Sequence, residues 1–198
     1  MASIEQLKLK GAGIKPAPFR ERVLVKRISY LLLFILLLLN IFLGYNYYQQ
    51  LKHIKESFTT TYTNAIHLMN VAYLNLQPLT IPPDPDSIAD LNMDFINILT
   101  PIKEASASLK AVQKNTFDIL GIDLNPIIVN IDHIWWSGHL LLAKDIKRFK
   151  TEEQRRDEFE SMKKLMAQII QIGEETISNK GEVNTTKFNM LLKTLPQS

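Results

Sequence analysis

The chain of 198 residues contains no cysteine. This absence excludes disulfide bonds, thiolate nucleophiles, iron–sulfur clusters and cysteine-based zinc sites. If the protein works outside the cytoplasm, its folded domain is held together by core packing alone. That solution is common for bacterial envelope proteins and less common for animal ectodomains.

Histidine is also scarce, since the chain contains only His53, His67, His133 and His139. His133 and His139 are six residues apart, which places them on opposite sides of a helix rather than on one metal-binding face. The sequence has no His-Glu-x-x-His motif, no glycine-rich phosphate loop and no nucleophile elbow. We therefore predict no catalytic residues, no metal site and no cofactor, and we expect that the protein is not an enzyme.

A third absence is local, because no charged residue occurs from Ile28 to Leu51. A helix rises about 1.5 Å per residue, so crossing a hydrocarbon core of about 30 Å takes about 20 residues. Residues 28–48 meet that length, and Asn40 is the only strongly polar residue before Asn46. The pattern predicts a transmembrane helix over 28–48 and makes the lipid bilayer the first partner.

Two targeting signals are the alternatives to a retained anchor. A cleaved signal peptide has an apolar region of about 7–15 residues and a small-residue cleavage site. The stretch Leu43-Gly-Tyr-Asn-Tyr offers no such site. A mitochondrial presequence is rich in serine and poor in acidic residues, whereas the flank before the apolar run has little serine and contains Glu5 and Glu21. The residues favour a signal anchor over both.

The net charge of +3 is distributed unevenly along the chain. Residues 1–48 hold seven Lys and Arg against two Glu, and residues 49–198 hold 16 Lys and Arg against 18 Asp and Glu. By the positive-inside rule, the amino-terminal tail stays in the cytoplasm and residues from about 49 onward are translocated. Because the basic excess is a topology signal, we predict no nucleic-acid partner. The tail either docks a cytoplasmic partner or only sets the topology.

Asn40 introduces a polar amide into the apolar run. An amide in hydrocarbon seeks a hydrogen-bond partner, and such bonds between membrane helices contribute about 0.6–2 kcal/mol. Asn40 is therefore a candidate for self-association or for contact with another membrane subunit. The alternative is a polar residue that is tolerated near the outer leaflet.

Beyond the anchor, no Gly or Pro occurs between Tyr45 and Gln77. Apolar residues recur there at steps of three and four, which is heptad-like spacing: Leu51, Ile54, Phe58, Tyr62, Ala65, Met69, Ala72 and Leu76. The pattern predicts that the membrane helix continues as a stalk over 49–76. We expect Leu51, Ile54, Phe58 and Tyr62 to pair with a partner along this face.

Proline and glycine divide the remainder of the chain. Four prolines within residues 77–86 predict an extended loop. A helix is expected from about residue 87 to Leu99, and Thr100-Pro101 predicts the start of a separate helix that Gly121 ends as a left-handed cap. Asn125-Pro126 begins the next helix, which carries apolar residues as far as Ile146 and Phe149.

A capping box, Thr151-Glu-Glu-Gln154, predicts the start of another helix that Lys180-Gly181 closes, and residues 185–195 add a short final helix. Six charged residues at the start of the helix that the capping box opens are expected to form a solvated, self-paired face: Glu152, Glu153, Arg155, Arg156, Asp157 and Glu158.

Every periodic segment has the helical repeat of 3.6 residues, so the predicted fold is all-α. It comprises a single transmembrane helix that continues into a long stalk helix, followed by an extracytoplasmic bundle of about four to five helices. The predicted domains are a basic tail (1–27), the membrane helix (28–48) and the extracytoplasmic domain (49–198). The last divides into the stalk (49–76), the proline-rich loop (77–86) and the bundle (87–195).

Trp135 and Trp136 lie on the most hydrophobic of these helices. Trp135 shares the apolar face and is expected in the core, whereas Trp136 is displaced by about 100° around the helix. Trp136 is a half-buried edge residue, an anchor for a protein partner, or a membrane-surface contact. We take Trp136 and Leu140 as the candidates for partner docking.

These features predict a non-catalytic structural or scaffold subunit of a multi-protein envelope complex, of the secretion, pilus or conjugation type. Its partners would be other membrane or envelope proteins, with a homo-oligomer as one arrangement. The expected location is the inner membrane of a bacterium, with the helical domain in the periplasm. Two alternatives are a membrane-anchored ligand-sensing domain that signals through a partner, and an immunity or inhibitor protein.

Overall fold

Five helices make up the computed structural model, which describes residues 19–79, 88–142, 151–178 and 182–196. They are α1 (Phe19–Leu76), α2 (Ile88–Leu120), α3 (Asn125–Leu142), α4 (Glu152–Thr176) and α5 (Thr185–Leu192). The only extended pairing among the described residues is an isolated antiparallel bridge between Ile177 and Val183. The predicted all-α class, with an extended first helix and about four more, is confirmed.

Helix α1 is uninterrupted for 58 residues, as the absence of Gly and Pro after Tyr45 predicts. The chain divides into two units, Met1–Gln49 and Gln50–Ser198, and α1 contributes to both. In the first unit every residue from Val23 to Tyr45 is exposed. This is the one helix among the described residues that is long and apolar enough to cross a membrane.

In the second unit, α1 packs against the later helices. Six residues of its heptad-like face are buried: Phe58, Tyr62, Ala65, Met69, Ala72 and Leu76. The ring of Phe188 on α5 lies edge-on to Tyr62, with ring centroids 5.0 Å apart, and to Phe58 at 6.0 Å. The apolar spacing therefore serves an intramolecular core from Phe58 onward.

Glycine allows α4 to approach α1 closely. A Cβ added at Gly173 would come within 2.5 Å of Ile66 Cγ2, a separation that real Cβ atoms do not adopt. Beside this contact, the Tyr62 hydroxyl lies 3.2 Å from Thr176 Oγ1. Because Thr176 Oγ1 is also 2.6 Å from Ile172 O, its single hydrogen is engaged there, and Tyr62 is the donor.

Helix α2 differs from the prediction, because one helix replaces the two that were expected on either side of Thr100-Pro101. Pro101 lies inside α2, although an internal proline costs about 3 kcal/mol. The residues around it explain why the helix continues, since Ile98, Leu99 and Ile102 are all buried. Burying one such side chain contributes about 1.5–3 kcal/mol, so the packing of this face outweighs the local cost.

The partner of this face is α3, which approaches α2 at a second glycine. A Cβ at Gly138 would overlap the side chain of Leu99. Helix α3 has a buried side of its own, which consists of Ile127, Ile128, Ile131, Ile134 and Leu141. Gly138 and Gly173 thus mark places where a side chain of a neighbouring helix packs directly against the glycine.

Local signals set several of the helix ends. Gly121 has φ +64°, and its N–H donates to Phe117 O at 3.1 Å, which is the left-handed cap that the sequence predicts. Thr151 is the N-cap of α4, and its Oγ1 accepts from Gln154 N at 3.2 Å. The charged face after it differs from the prediction at Arg155, which is buried rather than solvated.

Two polar contacts connect α4 to its neighbours. Lys163 Nζ donates to Leu79 O at 2.7 Å, which fixes the chain just after α1. Glu175 on α4 forms an ion pair of 3.2 Å with Lys187 on α5. Hydrogen bonding from Gln171, reinforced by Lys187, holds the pKa of Glu175 below its ordinary value of 4.5.

Several predictions fall outside the described residues. They concern the basic tail up to residue 18, most of the proline-rich loop of 77–86, the continuation of α3 to Ile146 and Phe149, and the closure of α4 at Lys180-Gly181.

Candidate partner-binding surface

Helix α3 holds its exposed side chains rigidly, because its opposite side is built into the core. Ile131 and Ile134 are fully buried on either side of position 133. Ser137 Oγ donates to the Glu158 carboxylate and joins α3 to α4. On the other side of the helix, Asp132 binds Lys110 of α2 at 2.7 Å. These contacts fix the position of α3 beneath its exposed side chains.

Trp136 is the most prominent of the displayed side chains. It is 59% exposed, so it is not a half-buried edge residue. Its ring meets Trp135 edge-on, with centroids 5.4 Å apart and planes at 76°. Trp135 is itself half-buried and packs against the core, so it is less buried than the core position that the apolar pattern predicts. The exposed indole therefore rests on one that is anchored.

The neighbours of Trp135 extend this surface. The imidazole of His139 lies edge-on to Trp135 with centroids 4.2 Å apart, and Lys103 Nζ of α2 is 5.6 Å from the Trp135 ring. Leu140 is half-buried one helical turn after Trp136. We call the five residues Lys103, Trp135, Trp136, His139 and Leu140 the tryptophan patch. It combines an apolar centre with a cationic edge.

Sequence reasoning identified Trp136 and Leu140 but missed Lys103 and His139. Lys103 is 32 positions before Trp135 in the chain, and only the packing of α2 on α3 brings it to the ring. His139 follows Trp135 by four residues, which is the spacing of neighbours on one face of a helix. That spacing is the signal that would have found it.

The four residues predicted to pair along the stalk separate into two groups. Leu51 and Ile54 are half-buried, whereas Phe58 and Tyr62 are 1% and 0% exposed. The latter two already pack against α5 and α4 of the same chain. Pairing of this face with another protein stays a prediction. Of the four residues, only Leu51 and Ile54 still expose part of their surface to a partner.

Asn40 has a partner within its own helix. Its Nδ2 donates to Leu36 O at 2.9 Å, and the residue is exposed among apolar neighbours. This back-bond satisfies one of the amide donors that hydrocarbon would otherwise leave unpaired. A contact of Asn40 with another membrane helix stays a prediction.

Titratable groups in the described part of the chain form no cluster of the metal-binding type. No group of three His, Asp or Glu side chains is close enough there to hold a metal ion. His133 and His139 are both exposed. The most perturbed group is Tyr62, whose pKa is raised by burial, and its hydroxyl bonds to Thr176 within the core.

Comparison of the chain with family models, with curated proteins and with solved structures finds no match. Any functional assignment therefore depends on the residues themselves.

Proposed function

We propose that the protein is a non-catalytic, single-pass membrane protein that serves as a structural subunit of a multi-protein envelope complex, of the secretion, pilus or conjugation type. Residues 28–48 anchor it in the bilayer with the amino terminus in the cytoplasm. The helical domain lies on the other side of the membrane and docks a protein partner through the tryptophan patch.

Trp136 is the observation that carries this proposal. Tryptophan is among the residues that contribute most to protein interfaces, because it buries a large area at little entropic cost. Here the indole is 59% exposed and lies on an anchored aromatic neighbour. The expected partner offers an apolar pocket for Trp136 and Leu140, with an acidic group beside it for Lys103.

Other exposed apolar residues in the described part of the domain lie on several different helices. Phe117 is 57% exposed, and Leu74 and Met190 are exposed to a similar extent on two other helices. No ring contact joins Phe117 to another described aromatic residue. Single apolar side chains at the surface are ordinary and need no partner.

Phe117 thus provides a matched control for Trp136. We would purify full-length protein from crosslinked membranes in mild detergent and compare Trp136→Ala with Phe117→Ala. Both changes truncate an exposed aromatic ring, so both variants should fold and remain in the membrane. We expect Trp136→Ala to lose a defined set of membrane and envelope proteins that the wild type and Phe117→Ala retain.

Two outcomes would contradict this proposal: recovery of the wild-type chain alone, or recovery of the same proteins with Trp136→Ala. Pairing of the stalk is tested separately with Leu51→Asp and Ile54→Asp together. That double variant should weaken assembly but remain in the membrane after carbonate extraction. Phe58 is unsuitable for this purpose, because a charge in its buried position would disrupt the fold itself.

A further inference from the structure

A cavity of about 320 Å³ opens between α3 and α4, close to the carboxyl end of the described chain. Its lining residues are Asn130, His133, Ser161, Lys164, Leu165, Gln168 and Pro196. This volume lies at the small end of the range of ligand pockets, which runs from about 300 to 1,000 Å³. The cavity therefore suits a compact molecule.

Four polar side chains of this cavity are not used by the fold. Within the described part of the chain, His133, Ser161, Lys164 and Gln168 make no side-chain hydrogen bond or ion pair. Ser161 and Gln168 offer neutral hydrogen-bonding groups, and Lys164 offers a full positive charge. Such convergence of uncommitted polar groups is typical of a binding site.

No carboxylate lines the cavity, and the nearest ones along the chain are engaged elsewhere. Asp132 precedes His133 but binds Lys110 of α2. Glu160 precedes Ser161 but lies 3.3 Å from Lys163. The charge of Lys164 is therefore not balanced from within the cavity, which favours an anionic ligand.

Two lining residues of the cavity, Asn130 and Leu165, are fixed by burial. Leu165 is 7% exposed, and its neighbours are core residues of α4. Asn130 is 3% exposed, and its Nδ2 donates to Pro126 O at 2.7 Å and to Pro196 O at 3.2 Å. The amide thereby holds the carboxyl-terminal segment at the edge of the cavity, which Pro196 and Leu165 both line.

We propose that this cavity binds a small organic carboxylate, with the carboxylate group against Lys164 and His133 and the apolar body between Leu165 and Pro196. The site is separate from the tryptophan patch in its lining residues. It does not depend on the proposed structural role, so either proposal can fail while the other stands.

Benzoate and benzamide are suitable probes, because they share one shape and differ in charge. The full-length protein in detergent micelles, labelled at leucine methyl groups, reports binding through the methyl resonances of Leu165. We expect a saturable shift with benzoate and a dissociation constant that is about tenfold or more higher for benzamide. A saturable shift that is equal for both probes, or the absence of any saturable shift, would overturn the proposal.

Substitutions locate the probe. Lys164→Gln should raise the dissociation constant of benzoate about tenfold. Lys114→Gln, which removes the same charge from an exposed position of α2, should leave it unchanged. Ser161→Trp fills the cavity from an exposed position and should abolish the shift. Wild-type affinity in either Lys164→Gln or Ser161→Trp would place benzoate elsewhere and refute the assignment.

Discussion

Tyr62 carries the buried hydroxyl that links α1 to the end of α4. Burial raises the pKa of this phenol, because ionisation would place a charge in the core. Because the pKa is higher in the folded state than in the unfolded one, the unfolded protein loses this proton first. The contribution of the protonated Tyr62 to the free energy of unfolding is therefore fully present below about pH 10, the ordinary pKa of tyrosine, and is lost as the pH rises above that value.

Replacement of Tyr62 by Phe should therefore flatten the alkaline limb of the stability profile. The wild type should lose up to about 1.4 kcal/mol of unfolding free energy per pH unit from this one group above about pH 10. The phenylalanine variant lacks the titrating group and should not show that loss. Guanidinium unfolding of the full-length protein in detergent, followed by tryptophan fluorescence from pH 8 to pH 11, measures the difference.

Thr176→Val is the matched control for this experiment. It removes the acceptor of the Tyr62 hydroxyl but keeps the phenol buried, so the alkaline loss should persist. An alkaline slope in Tyr62→Phe equal to that of the wild type would show that another group is responsible.

Residue-scale features were predictable where the deciding contact is local. Gly121 and Thr151 act on backbone groups within a few positions of themselves, and both were identified from the sequence. Arg155 was not, because its burial depends on neighbours that other elements supply. The hydroxyl pair of Tyr62 and Thr176 spans 114 positions and has no local signature.

At the scale of elements, α2 shows where the local rules were overruled. Thr100-Pro101 is a sound N-terminal signal, and a short peptide containing it would start a helix there. In the folded chain, Leu99 lies against Gly138, and the buried face runs through the proline without a break. The local sequence around Pro101 does not reveal that α3 covers α2 on both sides of the proline.

Pro101→Ala should consequently stabilise the protein. Alanine restores an N–H that can bond to Asn97 O and removes the clash of the ring with that carbonyl. The gain is expected to be about 1–2 kcal/mol, since greater freedom of the unfolded chain offsets part of the propensity difference. Guanidinium unfolding of the full-length protein in detergent, followed by tryptophan fluorescence, measures this gain in the free energy of unfolding.

Pro126→Ala is the control, because it removes a proline from the start of a helix rather than from a helix interior. Pro126 is the second residue of α3, where no backbone bond is lost and the ring is tolerated. This variant should be neutral or slightly less stable than the wild type. If Pro101→Ala gains no more than Pro126→Ala, the proline does not strain α2.

For the whole molecule, the sequence predicted the helical class, the long apolar helix and most helix positions, because each depends on periodicity within one segment. It did not predict which surfaces meet. Lys103 reaches Trp135 only through the packing of α2 on α3, and the cavity at Lys164 exists only because α4 and the segment at Pro196 come together. Sites formed by residues of several helices cannot be predicted from the periodicity of a single segment.

Membrane topology is the prediction that belongs to this scale, and the absence of cysteine makes it simple to measure. A single cysteine at exposed Phe117 (Phe117→Cys) should react with a membrane-impermeant maleimide in intact cells. Ser3→Cys should react only after permeabilisation, because the basic flank retains the tail in the cytoplasm. The parent chain cannot be labelled, so it sets the background.

The opposite labelling pattern would place the helical domain in the cytoplasm. Equal labelling of both positions in intact cells would indicate that the chain is not held in one orientation. Either result would contradict the proposed topology without affecting the assignment of the tryptophan patch.

The contact between Phe58, Tyr62 and α5 has a consequence for biosynthesis. The apolar face of α1 leaves the ribosome early, whereas Thr176 follows Tyr62 by 114 positions and Phe188 comes later still. At about 5–20 residues per second, about 6–26 s pass between the synthesis of these two aromatic rings and that of Phe188, which covers both. During that interval the nascent chain exposes the apolar face of α1 next to the apolar helix of the anchor. Its yield should depend on chaperones that shield this surface until translation ends.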